Sequence, residues 1–281
     1  MTQIEQFSQE YIDKNTPEKE MLFKPFLDSQ EPYTSIFKNN PWLAPPNFKK
    51  PLSRKKVHYW NTTVGRKHPY WKTKKLPTPT KEIKQIRKDF KRWGYALIED
   101  GMSKDQCHLF IERLLEQAQG EKLAGVNSIT PSGQYVHTLI NKGEMFRGCI
   151  EQDPSYVQAG LLIESFLNET LGKGWICHSF LANGAEKGYY PQVLHLDQSP
   201  LSPWITEEAP ALVNTLYIPQ DVNEINGGTL IIPGSHKNII KAGSNGQVGK
   251  LPPAINLEAK AGTVMLFDGR LLHGTGVNHT A

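Results

Sequence analysis

The hydrophobic period of this chain changes twice, and that change limits what it can fold into. Up to residue 80 no period is sustained. Pro41, Pro45, Pro46, Pro51, Pro69, Pro77 and Pro79 interrupt the segment and disfavour long helices and central strands. Its aromatics Trp42, Tyr59, Trp60, Tyr70 and Trp71 exceed what a flexible linker carries, so parts of this irregular arm are expected to lie against the main domain. From Thr80 a helical period begins, with Ile83, Ile86, Phe90 and Trp93 on one stripe, Thr80 as cap and Gly94 as stop. A short strand is predicted at 95–98. Ser103 and Gln106 then form a capping box for a second helix with the stripe Cys107, Phe110, Ile111, Leu114, Leu115 and Ala118, closed by Gly120. After a third helix at about 157–171 the pattern becomes one of short strands, at 175–182, 192–198, 211–218, 229–232 and 263–276. Helices followed by short strands between Gly, Pro and Asn turns predict an α+β, mainly β, domain over 81–281 with a sandwich or barrel core, behind an arm over 1–80.

Charge divides along the same boundary. Residues 48–92 hold 16 Lys and Arg against 2 acidic residues, while 93–281 hold 12 against 19. The net charge of +4 is therefore a basic segment offset by an acidic body. Lys and Arg mixed with aromatics can grip phosphates and stack bases, so nucleic acid is carried as a partner alternative; a basic arm docked on the acidic domain is the simpler reading. Cys107, Cys149 and Cys177 form no C-x-x-C pair and are odd in number, which points away from a disulfide framework and a cysteine zinc site. The polar N-terminus and the lack of any apolar run of membrane-spanning length lead to the expectation of an intracellular, cytoplasmic protein with no membrane partner.

The segment QVLHLDQ, residues 192–198, alternates. On a strand, His195 and Asp197 project from one face while Leu194 and Leu196 project from the other. A nitrogen and an oxygen ligand at i and i+2, joined by a second His from a distant strand, make the two-His, one-carboxylate set of non-haem Fe(II) oxygenases, which leaves coordination positions open. LFDGRLLHGTGVN offers His273, with Thr275 on the same strand face. An H-x-D pair alone occurs in many chains, and a lone strand His is more often a hydrogen-bonded core or rim residue than a ligand.

The flanking residues add a resemblance. PQVLHLDQSP (191–200), NGGTLIIPGSHK (226–237) and GTVMLFDGRLLHGTGVN (262–278) resemble, in order and spacing, the signature of the phytanoyl-CoA dioxygenase family; DFKRWGYALIEDGMSKDQC (89–107) is similar to that family's first strand and helix. The likeness covers about 81–281. It implies a double-stranded β-helix, or jelly roll, with Fe(II) held by His195, Asp197 and His273 and with 2-oxoglutarate as cosubstrate. The implied reaction consumes dioxygen, releases succinate and CO2, is supported by ascorbate and hydroxylates a small organic molecule. Asp197 favours hydroxylation, desaturation or ring formation, because related halogenases carry Gly or Ala there. Gln192 matches a family position beside the cosubstrate or substrate, and Thr275 one that helps hold the 2-oxoglutarate 5-carboxylate. The 226–228 stretch is read as a turn, Pro233 to His236 as a structured loop near the mouth, and His236 as structural or gating.

One departure stands out. The family places an Arg or Lys about eleven residues beyond the distal His, where a bidentate Arg-carboxylate pair would hold the cosubstrate; this sequence ends at Ala281, and truncation before that residue and its strand is the expectation. Two further readings stay open: a non-catalytic jelly-roll protein that keeps the triad, and an oxygenase brought to nucleic acid by its basic arm.

Overall fold

A computed structural model describes residues 39–40, 69–130, 132–187, 191–192, 194–198, 207–242, 247–278 and 280. The 48–68 part of the basic segment lies outside them. In chain order they form α1 (Pro69–Lys72), α2 (Ile83–Trp93), β1 (Tyr95–Ile98), α3 (Lys104–Leu123), β2 (Ser128–Thr130), β3 (Gly133–Val136), α4 (Glu144–Ile150), α5 (Gly160–Leu171), β4 (Ala182–Asn183), β5 (Val213–Ile218), β6 (Leu230–Ile231), α6 (Ser235–Ala242), β7 (Ile255–Asn256), β8 (Thr263–Asp268) and β9 (His273–Gly274). The helices hold about twice as many described residues as the strands, so the domain is mixed α/β rather than mainly β. No helix among the described residues is long and apolar enough to cross a membrane.

Three antiparallel sheets form, in the orders β1-β8-β5, β2-β3-β4 and β7-β6-β9. Strand alternation sorts the core into layers. Ala96, Ile98, Val264 and Leu266 turn toward α2, α3 and α5, meeting Ile86, Phe90, Phe110 and Phe166. Their neighbours Tyr95, Leu97, Met265 and Phe267 face the other way and meet Ile231, Ile255, Leu257 and Leu271. The β1-β8-β5 sheet is thus covered on both faces, by helices and by the β7-β6-β9 sheet, and β1 and β8 are buried throughout. The outer side of the β7-β6-β9 sheet (the second sheet, with β1-β8-β5 the first) carries Leu194, Leu196, Leu230, Ile232 and Leu272, closed over by Ile239 of α6 and by Val248, Leu251 and Ala254.

The predicted strand at 95–98 and the Ser103–Gln106 capping box are both present, with Gln106 N donating to Ser103 Oγ and Ser103 N to Gln106 Oε1. Gly94 stops α2 at φ 78°, and a Cβ there would meet His236 Nδ1 at 2.5 Å, so the turn into β1 requires glycine twice over. Six expectations are corrected. The cap of α2 is Glu82, while the Thr80 hydroxyl accepts from Glu82 N ahead of the helix. α3 runs past Gly120, whose open surroundings tolerate it in the helix, and Leu115 points to solvent. The 175–182 stretch is strand only at its end, and 263–276 is two strands parted by a turn at Gly269–Arg270. Pro233 to His236, expected as a structured loop, is a turn at Pro233–Gly234 followed by the first residues of α6.

The described parts of the arm engage the body. Asn40 is buried, donating to Gly249 O and accepting from Leu251 N, and Asn39 donates to Val248 O. Trp71 is also buried, donates Nε1 to Pro253 O and meets Trp93 edge-on at 6.2 Å. Thr80 pairs in parallel with Ile98 at the edge of the first sheet.

Candidate functional site

His195 reaches the site through a single antiparallel bridge to His273: His195 N donates to His273 O (2.9 Å) and His273 N to His195 O (3.1 Å). Gln192 N donates to Thr275 O further along the same edge. Gln192 and His195 therefore add an edge to the β7-β6-β9 sheet beyond β9. Leu194 and Leu196 are buried on its outer face, as the alternation predicts, so His195 and Asp197 turn toward the first sheet. Asp197 N and Gln198 N both donate to Gly269 O, which pins the backbone beneath the carboxylate.

Nitrogen and oxygen atoms of His195, Asp197 and His273 lie within 4.8 Å of one another. His195 Nε2 is 3.5 Å from Asp197 Oδ1, and His273 Nε2 is 3.3 Å from Asp197 Oδ2. His273 Nδ1 lies 2.9 Å from Leu271 O, which can only accept, so Nδ1 carries a proton and Nε2 is the ring atom turned to the cluster. The edge of the Phe267 ring packs against His273, with centroids 4.7 Å apart. His273 is 10 % exposed and Asp197 34 %, so the cluster is walled on one side and open on the other. Burial works against ionising Asp197, but hydrogen bonds and charge from His195 and His273 outweigh it and hold the carboxyl well below its usual range. An anionic oxygen between two imidazole nitrogens is a donor set suited to a divalent first-row metal.

Gln192 and Thr275 are brought together beside this cluster. Gln192 Oε1 accepts from the Thr275 hydroxyl (3.1 Å) and from Thr275 N (3.2 Å). Two residues that carry no sequence signal join them. Asn183 of β4 donates to Thr275 Oγ1 (2.6 Å) and to the Tyr135 hydroxyl (3.0 Å), and Gln192 Nε2 donates to the same hydroxyl. Asn183 Oδ1 is buried with no hydrogen-bond partner among the described residues. Burial, reinforced by the Asp197 charge, raises the Tyr135 pKa and keeps its phenol protonated. Nothing in the sequence singles out Tyr135 or Asn183, because they arrive on the separate β2-β3-β4 sheet. Asn214 of β5 is equally unmarked, and its Nδ2 donates to Asp197 Oδ2 at 2.9 Å.

Two other residues need placing. His236 is buried against Gly94, with Nε2 3.4 Å from Lys91 O, and is not one of the ligand cluster. Arg270 is fully buried but committed to Asp268, donating from Nε and Nη2 to the two carboxylate oxygens and from Nη1 to Glu207 O.

Comparison with solved structures places this architecture among known ones. The chain superposes on the non-haem α-ketoglutarate-dependent carbocyclase SnoK from nogalamycin biosynthesis with a TM-score of 0.55 and 17 % identity, over 73 % of this chain and 82 % of that one. AviO1 from Streptomyces viridochromogenes matches with a TM-score of 0.52 and 18 % identity, over 73 % and 91 %. Among curated proteins, dioxygenase FUM3 of Gibberella moniliformis is 38 % identical over 96 residues, 33 % of this chain and 30 % of that protein. Dioxygenase af480 of Aspergillus fumigatus is 35 % identical over 112 residues, 39 % of this chain and 35 % of that protein. The matched part thus spans about a third of these relatives. The family model for phytanoyl-CoA dioxygenase (PhyH) matches residues 90–281, which include every residue of the ligand cluster and its polar neighbours, and the chain belongs to that family.

Proposed function

We propose that the protein is an Fe(II)- and 2-oxoglutarate-dependent dioxygenase that oxidises a small organic molecule with release of succinate and CO2, and that its two facing sheets form a double-stranded β-helix. The observation that carries this reading is the convergence of His195, Asp197 and His273 on one point from two chain segments, in a chain of this family. These three side chains would hold the iron. Bound there, iron with 2-oxoglutarate and dioxygen supplies the oxidising power for hydroxylation, or for desaturation or ring formation; ascorbate would keep the metal reduced.

The chain's own residues prepare the site. Leu271 O holds the His273 Nδ1 proton, so the ring presents Nε2 without rearrangement. Phe267 shields that ring from water, and Gly269 O anchors the backbone of Asp197. Thr275, Gln192, Asn183 and Tyr135 form a neutral hydrogen-bonding wall beside the triad. This wall would orient 2-oxoglutarate through its carboxylate, with the Tyr135 hydroxyl as donor and the Thr275 hydroxyl turning its proton from Gln192 Oε1 to the ligand. Gly276 lets the chain pass close behind Thr275, since a Cβ there would meet Gly228 O at 2.4 Å.

Iron-dependent, ascorbate-supported succinate formation from 2-oxoglutarate, compared between the parent and His195→Ala, tests the proposal. Succinate from the parent and none from the variant is expected. A folded, iron-loaded parent that forms no succinate would sink it.

A further inference from the structure

Two side chains of the first sheet reach across to the ligand cluster. Asn214 of β5 and Phe267 of β8 stand directly opposite in the antiparallel register and therefore share a face. Phe267 lies against His273 and Asn214 donates to Asp197, so one cross-strand pair touches two of the three ligand side chains.

The two contacts differ in kind. The ring position of His273 is already set by Leu271 O, and Phe267 only adds packing. Asp197 is approached at its carboxylate by His195 Nε2 at 3.5 Å and His273 Nε2 at 3.3 Å, but both contacts would be given up to a bound metal and so would not set the carboxylate plane in the loaded site. Its backbone is fixed by Gly269 O, but rotation about χ2 of an Asp is broad and nearly two-fold, so only a directed hydrogen bond can select one orientation. Asn214 Nδ2, 2.9 Å from Oδ2, supplies that bond from a strand hydrogen-bonded along its whole length to β8.

We infer that Asn214 is a positioning residue for the metal centre: its amide ties up one lone pair of Asp197 Oδ2 and so holds the carboxylate to ligation through a single oxygen. Single-oxygen ligation would leave open a coordination position that a chelating carboxylate would fill, and the proposed reaction would use it. A neutral amide suits the task better than Lys or Arg, because a second positive charge beside the carboxylate would cancel the field that attracts the cation. The inference rests on the reading of His195, Asp197 and His273 as metal ligands.

The test is Co(II) binding to the full chain, followed by calorimetry and by the visible absorption of the bound ion, in the parent, Asn214→Ala and Asn214→Leu. Both variants are expected to bind Co(II) about 10- to 100-fold more weakly, the scale of lost outer-shell partners. Their absorption bands should shift, and the metal-free unfolding midpoint should stay near that of the parent. Variants that bind within about twofold of the parent with the same spectrum would overturn the inference while leaving the dioxygenase reading intact. Variants that no longer fold without metal would overturn it as well, by showing that Asn214 supports the fold and not the ion. A parent that binds no Co(II) would remove the metal centre itself, and this inference with it.

Discussion

His195 and His273 are bonded to each other twice through the backbone, and their rings lie 4.4 Å apart at 49°. Residues exchanging both hydrogen bonds in an antiparallel pair present their side chains on the same face. The sheet therefore sets the spacing of the two nitrogen ligands before any metal arrives, and the bridge survives truncation of either side chain.

His273→Ala should consequently leave the fold in place and remove the chemistry. Outer-shell partners of a metal are worth 10- to 100-fold in affinity or activity, so loss of a ligand should reduce 2-oxoglutarate turnover by at least about 100-fold. Succinate assays alongside circular dichroism of the variant check both halves of this expectation.

Thr275 gives a milder and more selective outcome. Its hydroxyl donates to Gln192 Oε1 and accepts from Asn183, and in the proposed function it faces the cosubstrate. Thr275→Val keeps the shape and removes the hydroxyl's bonds to Gln192 and Asn183 together with its contact to the cosubstrate, the last worth about 0.5–1.5 kcal/mol. The KM for 2-oxoglutarate should rise about 3- to 10-fold with kcat changed less. A fall in kcat at constant KM would assign Thr275 to another task.

Parity along one strand explains why part of this site is legible in the sequence and part is not. The alternation of Leu194, His195, Leu196 and Asp197 sorts core from cavity without tertiary knowledge, and the leucines are indeed buried on the opposite face. His273 is recoverable only through its flanking motif, since nothing local distinguishes a ligand from any strand His. Tyr135, Asn183 and Asn214 are out of reach because they belong to other strands, brought in by sheet pairing that local periodicity does not encode. Leu115 shows the limit of stripe arguments: it fits the apolar spacing of α3 yet is 62 % exposed, because the side of α3 turned to the core runs through Cys107, Phe110, Leu114, Ala118 and Glu121 and Leu115 lies off it. Likewise β8 and β9 read as one apolar run, and the turn between them becomes visible only with the buried Asp268–Arg270 pair.

That pair makes the third prediction. Asp268 accepts from Arg270 N, Nε and Nη2, all within the turn that hands the chain from the first sheet to the His273 strand. Arg270→Met would strand a buried carboxylate and should cost about 3–5 kcal/mol of stability, whereas Asp268→Asn with Arg270→Met should recover a large part of the loss. Urea unfolding of the parent, the single and the double variant measures the difference.

The arm contributes stability through Asn40, whose side chain makes both hydrogen bonds to the 249–251 backbone. Asn40→Ala leaves Leu251 N and Gly249 O without these partners, a loss of about 1–3 kcal/mol if water does not replace them. Unfolding by denaturant should show it as a lower midpoint with an unchanged slope. An unchanged midpoint would mean that water substitutes fully.

His236 should make stability depend on pH. Burial lowers its pKa from the ordinary 6.5 to about 4, with the Lys237 and Arg270 charges adding to the effect and the Asp268 charge and Lys91 O opposing it. The folded protein therefore keeps the ring neutral at pH values where the unfolded chain binds a proton. Between about 6.5 and 4 the unfolded state holds more protons, so stability rises with pH across this window. The contribution is fully present above 6.5 and is lost progressively as the pH falls toward 4. Each tenfold difference in proton affinity between the two states is worth about 1.4 kcal/mol, so the change is roughly 3 kcal/mol at most. His236→Gln removes the titrating group at similar size, so its unfolding free energy should fall less steeply than that of the parent from pH 6.5 to 4. Parallel curves for the two proteins would show that other groups carry the acid sensitivity.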